Sequence, residues 1–265
     1  HQRRFSEFLM SRNIVLHYHL FKNAGTSVDH SLKANFKGYW HAHEGKASGW
    51  PSEEVADYLL AHADIKVLSS HTALMPVPVI PGATIYPVIF IRHPIDRVRS
   101  IYDFERKQTD ITEGSKMAKI TDLCGFVEWR LQRKGDRSLR NFQTHRFAAA
   151  IKPSQVSPKL SEEERALLAL DTLPFIGIVE QYDRSLERLQ DWLSPVFEGI
   201  DLQPTKVNVT QRSDQSLDER LAALRAELGP TLYKALVDAN QSDLNLYSAV
   251  VAHAAQQVAP SMSDD

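Results

Sequence analysis

Asn13-Ile14-Val15-Leu16-His17-Tyr18-His19-Leu20, followed at once by Phe21-Lys22-Asn23-Ala24-Gly25-Thr26-Ser27, is the stretch on which the fold turns. The segment 13–20 is short, apolar and β-branched, the pattern of a buried strand. Lys22 to Ser27 is turn-like, and Val28 to Phe36 reads as a helix. A strand that runs through a small glycine-containing turn into a helix leaves free backbone N–H groups at the helix start. The helix dipole favours negative charge at that point. Gly25 lets the backbone approach an anion closely, and Thr26 and Ser27 add hydroxyl donors. Lys22 stands just before this cradle, within reach of an oxygen at a reacting bond. The spacing is not that of the nucleotide P-loop, in which the lysine directly follows the second glycine. By itself the stretch reads equally well as a plain strand-to-helix turn with a solvated lysine.

Working outward, Ile65-Lys66-Val67-Leu68-Ser69 is a second strand and Ile85 to Ile91 a third. An aromatic-rich connection from Gly38 to Pro51 and a helix from Ser52 to Ala61 lie between the first two. Pro94 suits a first helical position, and the spacing predicts a helix to about Lys107. Helical patterns follow at 122–134, 138–149 and 161–170. Phe175 to Val179 returns to strand character, with Asp183 capping a helix through Trp192. The tail is helical at 216–228 and 230–254, and Ser261 to Asp265 read as frayed. Strands alternating with helices predict an α/β fold: a P-loop-like central parallel sheet flanked by helices, with a helix-rich C-terminal half. The expected organisation is a single domain over 1–265. Its sheet core lies mainly at 13–110 and 173–194, with helical additions at 120–170 and 215–255. Ligands of such sheets sit outside the carboxyl ends of the strands.

A second constellation lies at that same edge. The third strand delivers Arg92, a helix opens behind it, and Ser100 follows on that helix. An arginine fork with a nearby hydroxyl suits a phosphate monoester. In isolation a surface arginine and a tucked-in serine explain the pattern better. Two anion sites at one sheet edge suit a nucleotide bearing two separate phosphate groups.

Composition narrows the classes. The chain has 265 residues, 43% hydrophobic and 24% charged, enough for one α/β domain with a sizeable core. A formal charge of −2 supplies no global field for nucleic acid, so an anion site must be local. No apolar run is long enough to predict a membrane span. The segment from His1 to Glu7 lacks the apolar core of a signal peptide. Cys124 is the single cysteine, which excludes an internal disulfide and a cysteine-built zinc site. A reducing compartment such as a bacterial cytoplasm is expected, with a trimmed lumenal domain as the alternative.

His19-Leu20-Phe21-Lys22-Asn23-Ala24-Gly25-Thr26-Ser27 resembles the 5′-phosphosulfate loop of sulfotransferases that use 3′-phosphoadenosine-5′-phosphosulfate (PAPS), usually His-Ile-Pro-Lys-Thr-Gly/Ala-Gly-Thr-Ser. Arg92-His93-Pro94-Ile95-Asp96-Arg97-Val98-Arg99-Ser100-Ile101-Tyr102 resembles their 3′-phosphate motif, Arg-(Asp/His)-Pro-x-x-Arg-x-x-Ser-x-Tyr. The resemblance is to the carbohydrate branch that includes heparan sulfate 2-O-sulfotransferase and its bacterial relatives. Shorter echoes of that branch occur at Asn141-Phe142-Gln143-Thr144, Phe175 to Glu180, Lys206-Val207-Asn208-Val209 and Asp243 to Tyr247. Phe21 and Asn23 depart from the usual proline and threonine. The loop still forms through its backbone, and Asn23 is expected to alter the hydrogen bonds to the sulfate.

The resemblance implies a sulfuryl transfer from PAPS to a hydroxyl acceptor, with no metal required. Lys22 would stabilise the leaving oxygen. Backbone N–H groups of Asn23, Ala24, Gly25, Thr26 and Ser27, with the two hydroxyls, would hold the 5′-phosphate. Arg92 and Ser100 would clamp the 3′-phosphate. His71 directly follows the second strand and is the candidate base, because imidazole titrates near neutrality. The related 2-O-sulfotransferases carry His-Gly-His there, and Ser69-Ser70-His71 matches only the second histidine. Glu44 and Asp103 are the substitutes. His43, Glu44, Asn141, Gln143 and His145 are candidate acceptor contacts, and Tyr39, Trp40 and Trp50 could stack on a sugar or belong to the core. His41-Ala42-His43-Glu44 has ligand types at metal-like spacing but no marked third or fourth ligand. Arg130, Arg133, Lys134, Arg137, Arg140, His145 and Arg146 form either a track for an anionic glycan or a solvated helix face. His17 and His19 share one strand face and are expected to be structural. The expected partner is a carbohydrate or glycoconjugate, with no nucleic acid. The C-terminal helices form a homodimer face or complete the core. The rivals are a P-loop-type nucleotide kinase, which would need magnesium, and a non-catalytic glycan-binding protein of the same fold.

Overall fold

The computed structural model describes residues 11–156, 159–202 and 215–256. Five strands form one sheet: β1 (Arg12–Tyr18), β2 (Trp40–Ala42), β3 (Val67–Ser70), β4 (Ala83–Ile91) and β5 (Gly177–Ile178). Their spatial order is β2-β3-β1-β4-β5, with every pairing parallel. Around it lie α1 (Gly25–Phe36), α2 (Ser52–Ala61), α3 (Pro94–Lys107), α4 (Glu113–Ile120) and α5 (Leu123–Gln132). The chain continues through α6 (Phe142–Ala148), α7 (Glu162–Ala169), α8 (Tyr182–Leu193), α9 (Leu217–Ala239) and α10 (Gln241–Gln256). The α/β class and the helix-rich second half read from the sequence are therefore observed.

Alternation along β1 sorts the two faces of the sheet. Ile14, Leu16 and Tyr18 point into a core shared with Val55 and Leu59 of α2, Ala166 of α7, and Leu246 and Val250 of α10. Val15 points the other way, onto Val28, Leu32 and Phe36 of α1 and Leu186, Leu189 and Leu193 of α8. His17 and His19 continue the register of Val15, so β1 aims both imidazoles at α1. A third core lies beside the sheet, where Ile95, Val98 and Ile101 of α3 meet Phe126 of α5 and Leu224, Leu228 and Leu236 of α9.

Pro87 lies inside β4, yet β5 pairs only with Phe90 and Ile91. On that side β4 is an edge strand at Pro87, where a missing N–H is tolerated. The strand order also fixes the ligand crevice. From β1 the chain crosses to β2 and β3 on one side and then returns to β4 on the other. The order reverses at β1, and the crevice of such a sheet opens at that reversal, beyond the carboxyl ends.

Several boundaries differ from expectation. The first helix begins at Gly25 rather than Val28, because Ala24 takes a left-handed conformation and caps it. The three-residue edge strand β2 lies in what reads as a loop. The short α4, closed by a Thr112–Ser115 capping box, is also additional. Gln181, not Asp183, is the N-cap of α8; Asp183 sits in the first turn, where its charge suits the helix dipole. The stretch 230–254 is not one helix. α9 passes a non-helical Gly229 and ends at Asn240, whose amide donates to the carbonyls of Leu139 and Leu236. No described helix is long and apolar enough to cross a membrane. Lys206-Val207-Asn208-Val209 and Ser261 to Asp265 lie outside the described residues.

Candidate active site

The loop leaving β1 turns through two left-handed residues, Lys22 at φ 64° and Ala24 at φ 60°. Left-handed backbone is disfavoured for side chains with a Cβ and persists where the surroundings enforce it. The enforcing contacts are visible. The Phe21 carbonyl accepts from Arg97 Nε at 2.9 Å and the Lys22 carbonyl from Arg92 Nη1 at 3.2 Å. The buried Asn23 side chain donates to the Phe90 carbonyl at 2.8 Å and to Gln143 Oε1 at 2.7 Å. The Asn23 side chain thus faces inward, which corrects the expectation that it alters the hydrogen bonds to the sulfate. The cradle is also narrower than expected. The Asn23 N–H donates to the Leu20 carbonyl and the Ser27 N–H to the Ala24 carbonyl. The N–H groups of Ala24, Gly25 and Thr26 have no acceptor among the described residues. A side chain at Gly25 would overlap the His19 ring, with an ideal Cβ 2.0–2.6 Å from its atoms.

Lys22 leans over the Phe104 ring, its Nζ 4.8 Å from the centroid. Burial and then the Arg92 charge lower its pKa from the ordinary lysine value, against the pull of Asp103. Arg92 lies at the end of β4, one strand from the loop. Its Nε and Nη2 donate to Asp96 at 2.9 and 2.6 Å, and Arg220 of α9 donates to the other Asp96 oxygen at 2.7 Å. Burial opposes the Asp96 charge, but the Arg92 charge and the Arg220 hydrogen bond outweigh it and keep the carboxyl below its ordinary range. Two guanidiniums on one carboxylate leave a net positive charge beside the cradle. Ser100 is half-buried on α3, with no protein partner among the described residues.

On the other side of the loop, at the end of β3, His71 is half-exposed. Glu44, just beyond the end of the neighbouring β2, accepts from the backbone N–H groups of His71 and Thr72 and lies 2.8 Å from His71 Nδ1. Burial raises the Glu44 pKa, but these bonds dominate and bring it down to about 2. In the tautomer protonated on Nδ1, that N–H donates to Glu44 and the lone pair lies on Nε2. Glu44 therefore orients the imidazole. The His71 ring stacks on His19 at 3.8 Å between centroids.

The other expected contacts separate. Gln143 is fully buried and corrects the expectation of an acceptor contact: its Oε1 accepts from Asn23 and from the Arg92 N–H, and its Nε2 donates to the Arg92 carbonyl. Asn141 caps α6 in a left-handed conformation and exchanges hydrogen bonds with Asn240 and Asp243. His145 is exposed and lies 3.1 Å from Glu162. His43 is exposed on the Tyr58 ring at 4.2 Å, His41 Nε2 lies 3.5 Å from Asp64 and Glu44 is on His71, so the three side chains have separate partners. Trp50 is buried in the core. The basic stretch is largely neutralised: Arg130 pairs with Glu105 and Asp136, Arg133 with Glu113, and Arg137 with Glu162. Arg146 donates to the carbonyls of His71 and Ala73.

Three residues enter that sequence reasoning does not assign. Arg97 is fully buried, its pKa pushed down to about 9 by burial, and it braces the loop through Phe21. Its signal in the sequence is only the second arginine of the motif. Arg220 carries no signal, because α9 is remote in the chain. Asp29 sits one turn into α1, where His17 Nδ1 and His19 Nδ1 approach its two oxygens at 2.7 and 2.9 Å. Among the described residues, these three groups are the one cluster with a metal-ligand donor set.

No family model matches the chain. It is 36% identical over 251 residues to an uncharacterized protein of Archaeoglobus fulgidus, an alignment covering 91% of this chain and 97% of the archaeal one. With that identity along nearly the whole of both, the chain belongs to the family of this archaeal protein.

Proposed function

We propose that the protein is an O-sulfotransferase that takes a sulfuryl group from PAPS and passes it to a hydroxyl acceptor, a carbohydrate by preference. The observation that carries the reading is the set of groups gathered beyond the carboxyl end of β1. Three unpartnered N–H groups, a lysine and a two-arginine clasp lie on one side of the loop, and an oriented imidazole lies on the other. Two anion sites joined by the Arg92–Lys22 contact fit a donor with phosphates at both ends of its ribose. The group fits the residues present: Ala24, Gly25 and Thr26 would take the 5′-phosphate, and Arg92 with Ser100 the 3′-phosphate.

In the transfer the acceptor oxygen forms its bond to sulfur as the bond from sulfur to the phosphate oxygen breaks. His71 Nε2 receives the acceptor's proton. The electron pair goes to the phosphate oxygen, where the Lys22 ammonium meets the charge. Positioning and charge stabilisation carry such a step, and no metal has a role in it.

The test is thermal unfolding with adenosine 3′,5′-bisphosphate, adenosine 5′-monophosphate or magnesium-ATP, on the wild type and on Arg92→Ala. A ligand at about 100 times its Kd stabilises by roughly 2.7 kcal/mol. The expected result is a shift with the bisphosphate alone, without metal, and none in Arg92→Ala. A shift only with magnesium-ATP would make the protein a kinase instead.

A further inference from the structure

We infer that His19, anchored by Asp29, is a positioning residue that holds the His71 ring in its working orientation beside the cradle. The inference rests on the proposed role of His71 as base and goes beyond it, to what makes a half-exposed imidazole precise. The His71 side chain is 52% exposed, and its own side-chain tie is the contact with Glu44. That one contact fixes which nitrogen faces Glu44 and leaves the plane of the ring free to turn about it. The plane of the ring is set by its other neighbour, the face of His19, with centroids 3.8 Å apart and an interplanar angle of 28°.

His19 can serve as a wall because it cannot move. It is buried, its Nδ1 lies 2.9 Å from Asp29, and its ring fills the space that any side chain at residue 25 would need. Asp29 is held in turn by His17 Nδ1 at 2.7 Å, and Ser69 Oγ lies 3.1 Å from that same nitrogen. Two carboxylate–imidazole pairs, Asp29–His19 and Glu44–His71, thus face each other ring to ring. One is rooted in α1 and β1, the other in the ends of β2 and β3. The approach of His17 and His19 to separate oxygens of Asp29 is accounted for by hydrogen bonds. A divalent cation held by the same three groups is the competing account, and zinc content distinguishes the two.

The experiment uses full-length protein with 15N-labelled histidine and compares the wild type with His19→Ala, Asp29→Asn and His19→Phe. Nitrogen–proton spectra read the His71 tautomer, steady-state kinetics read kcat and KM, and bound zinc is measured on the purified protein. Wild-type His71 is expected to show one tautomer, protonated on Nδ1. In His19→Ala and Asp29→Asn that signal should broaden as the ring turns about its Glu44 contact, and kcat should fall at least about tenfold, since a misplaced group loses rate. KM for the donor and the melting shift with the bisphosphate should stay unchanged, and His19→Phe, which restores a ring face, should recover part of kcat. Asp29→Asn, nearly isosteric, keeps the test open if His19→Ala fails to fold. An unchanged His71 signal in the variants overturns the inference, whether or not the protein transfers sulfuryl groups. So does stoichiometric zinc that is lost with Asp29→Asn. Absence of bisphosphate binding in the wild type would instead defeat the sulfotransferase reading, and the spectra would still decide the positioning claim.

Discussion

Glu44 shows how much a single side chain does at this site. One carboxylate accepts from two backbone N–H groups and the Thr72 hydroxyl, and it holds the His71 ring. Its pKa is brought down to about 2 in the folded chain, below the ordinary glutamate value. A carboxyl depressed by folding stabilises the native state above its unfolded pKa, and that contribution fades as pH falls through the folded value. The Glu44 contribution is thus present at neutral pH and lost between about pH 4.3 and pH 2. Asp29, also depressed, adds a loss of the same sign. Glu44→Gln should flatten the dependence of the urea midpoint on pH in this window and lower kcat with little change in KM. A wild-type slope retained in Glu44→Gln would show that other carboxyls dominate. Gly25→Ala is the opposite kind of change, a gain of one methyl group where His19 already lies. It should cost about 1–3 kcal/mol by overpacking and weaken bisphosphate binding in the same protein, as urea titration and calorimetry would read. At this scale the sequence was legible where chemistry and position coincide, as at Lys22, Gly25 and Arg92. It misled at Asn23 and Gln143, because a polar residue in a motif looks the same whether it turns toward a ligand or inward to tie two loops together.

Elements were legible where apolar periodicity was strong. α2 and α3 span the expected residues, since Pro51 precedes the one and Pro94 opens the other. β2 was not legible, because three residues at a sheet edge carry too little alternation to count. The long α9 hides its kink for a related reason: helical periodicity runs on both sides of Gly229, and only the backbone shows φ 73° and ψ 165° there. Pro230 cannot accept a normal helical predecessor, and glycine supplies the one conformation that keeps both segments packed on α3 and α5. An alanine at 229 would meet no neighbour within 4 Å. Any cost of Gly229→Ala is therefore conformational, about 1 kcal/mol or more. Gly38→Ala, at a site equally open and without a positive φ, should be nearly neutral. Equal denaturation midpoints for the two variants would mean that the kink is not enforced by the fold.

Across the whole molecule, the C-terminal helices and the cradle are mechanically one object. Asp243 of α10 is fully buried; its carboxylate accepts from the Thr144 N–H at 2.6 Å, the Thr144 hydroxyl at 2.7 Å and the Gln143 N–H at 3.1 Å. Gln143 then clasps Arg92 and Asn23, and Asn23 shapes the loop. This chain of bonds runs from residue 243 to residue 23, and no sequence spacing announces it, since each link is made across a contact of the folded chain. Asp243→Ala would strand two buried backbone donors and should cost about 2–4 kcal/mol, from roughly 1–2 kcal/mol for each. Leu236→Ala removes a fully buried side chain from the third core and should cost a similar 2–5 kcal/mol. The two variants part in their effect on binding. Measured by titration calorimetry at a temperature where both are folded, Asp243→Ala should weaken adenosine 3′,5′-bisphosphate, because the clasp on Arg92 and Asn23 loosens. Leu236→Ala should bind as the wild type does, because its cavity lies outside that chain of bonds. If the two lose affinity equally, the cradle responds only to global stability, and the Asp243–Gln143–Asn23 connection is packing without consequence for the ligand.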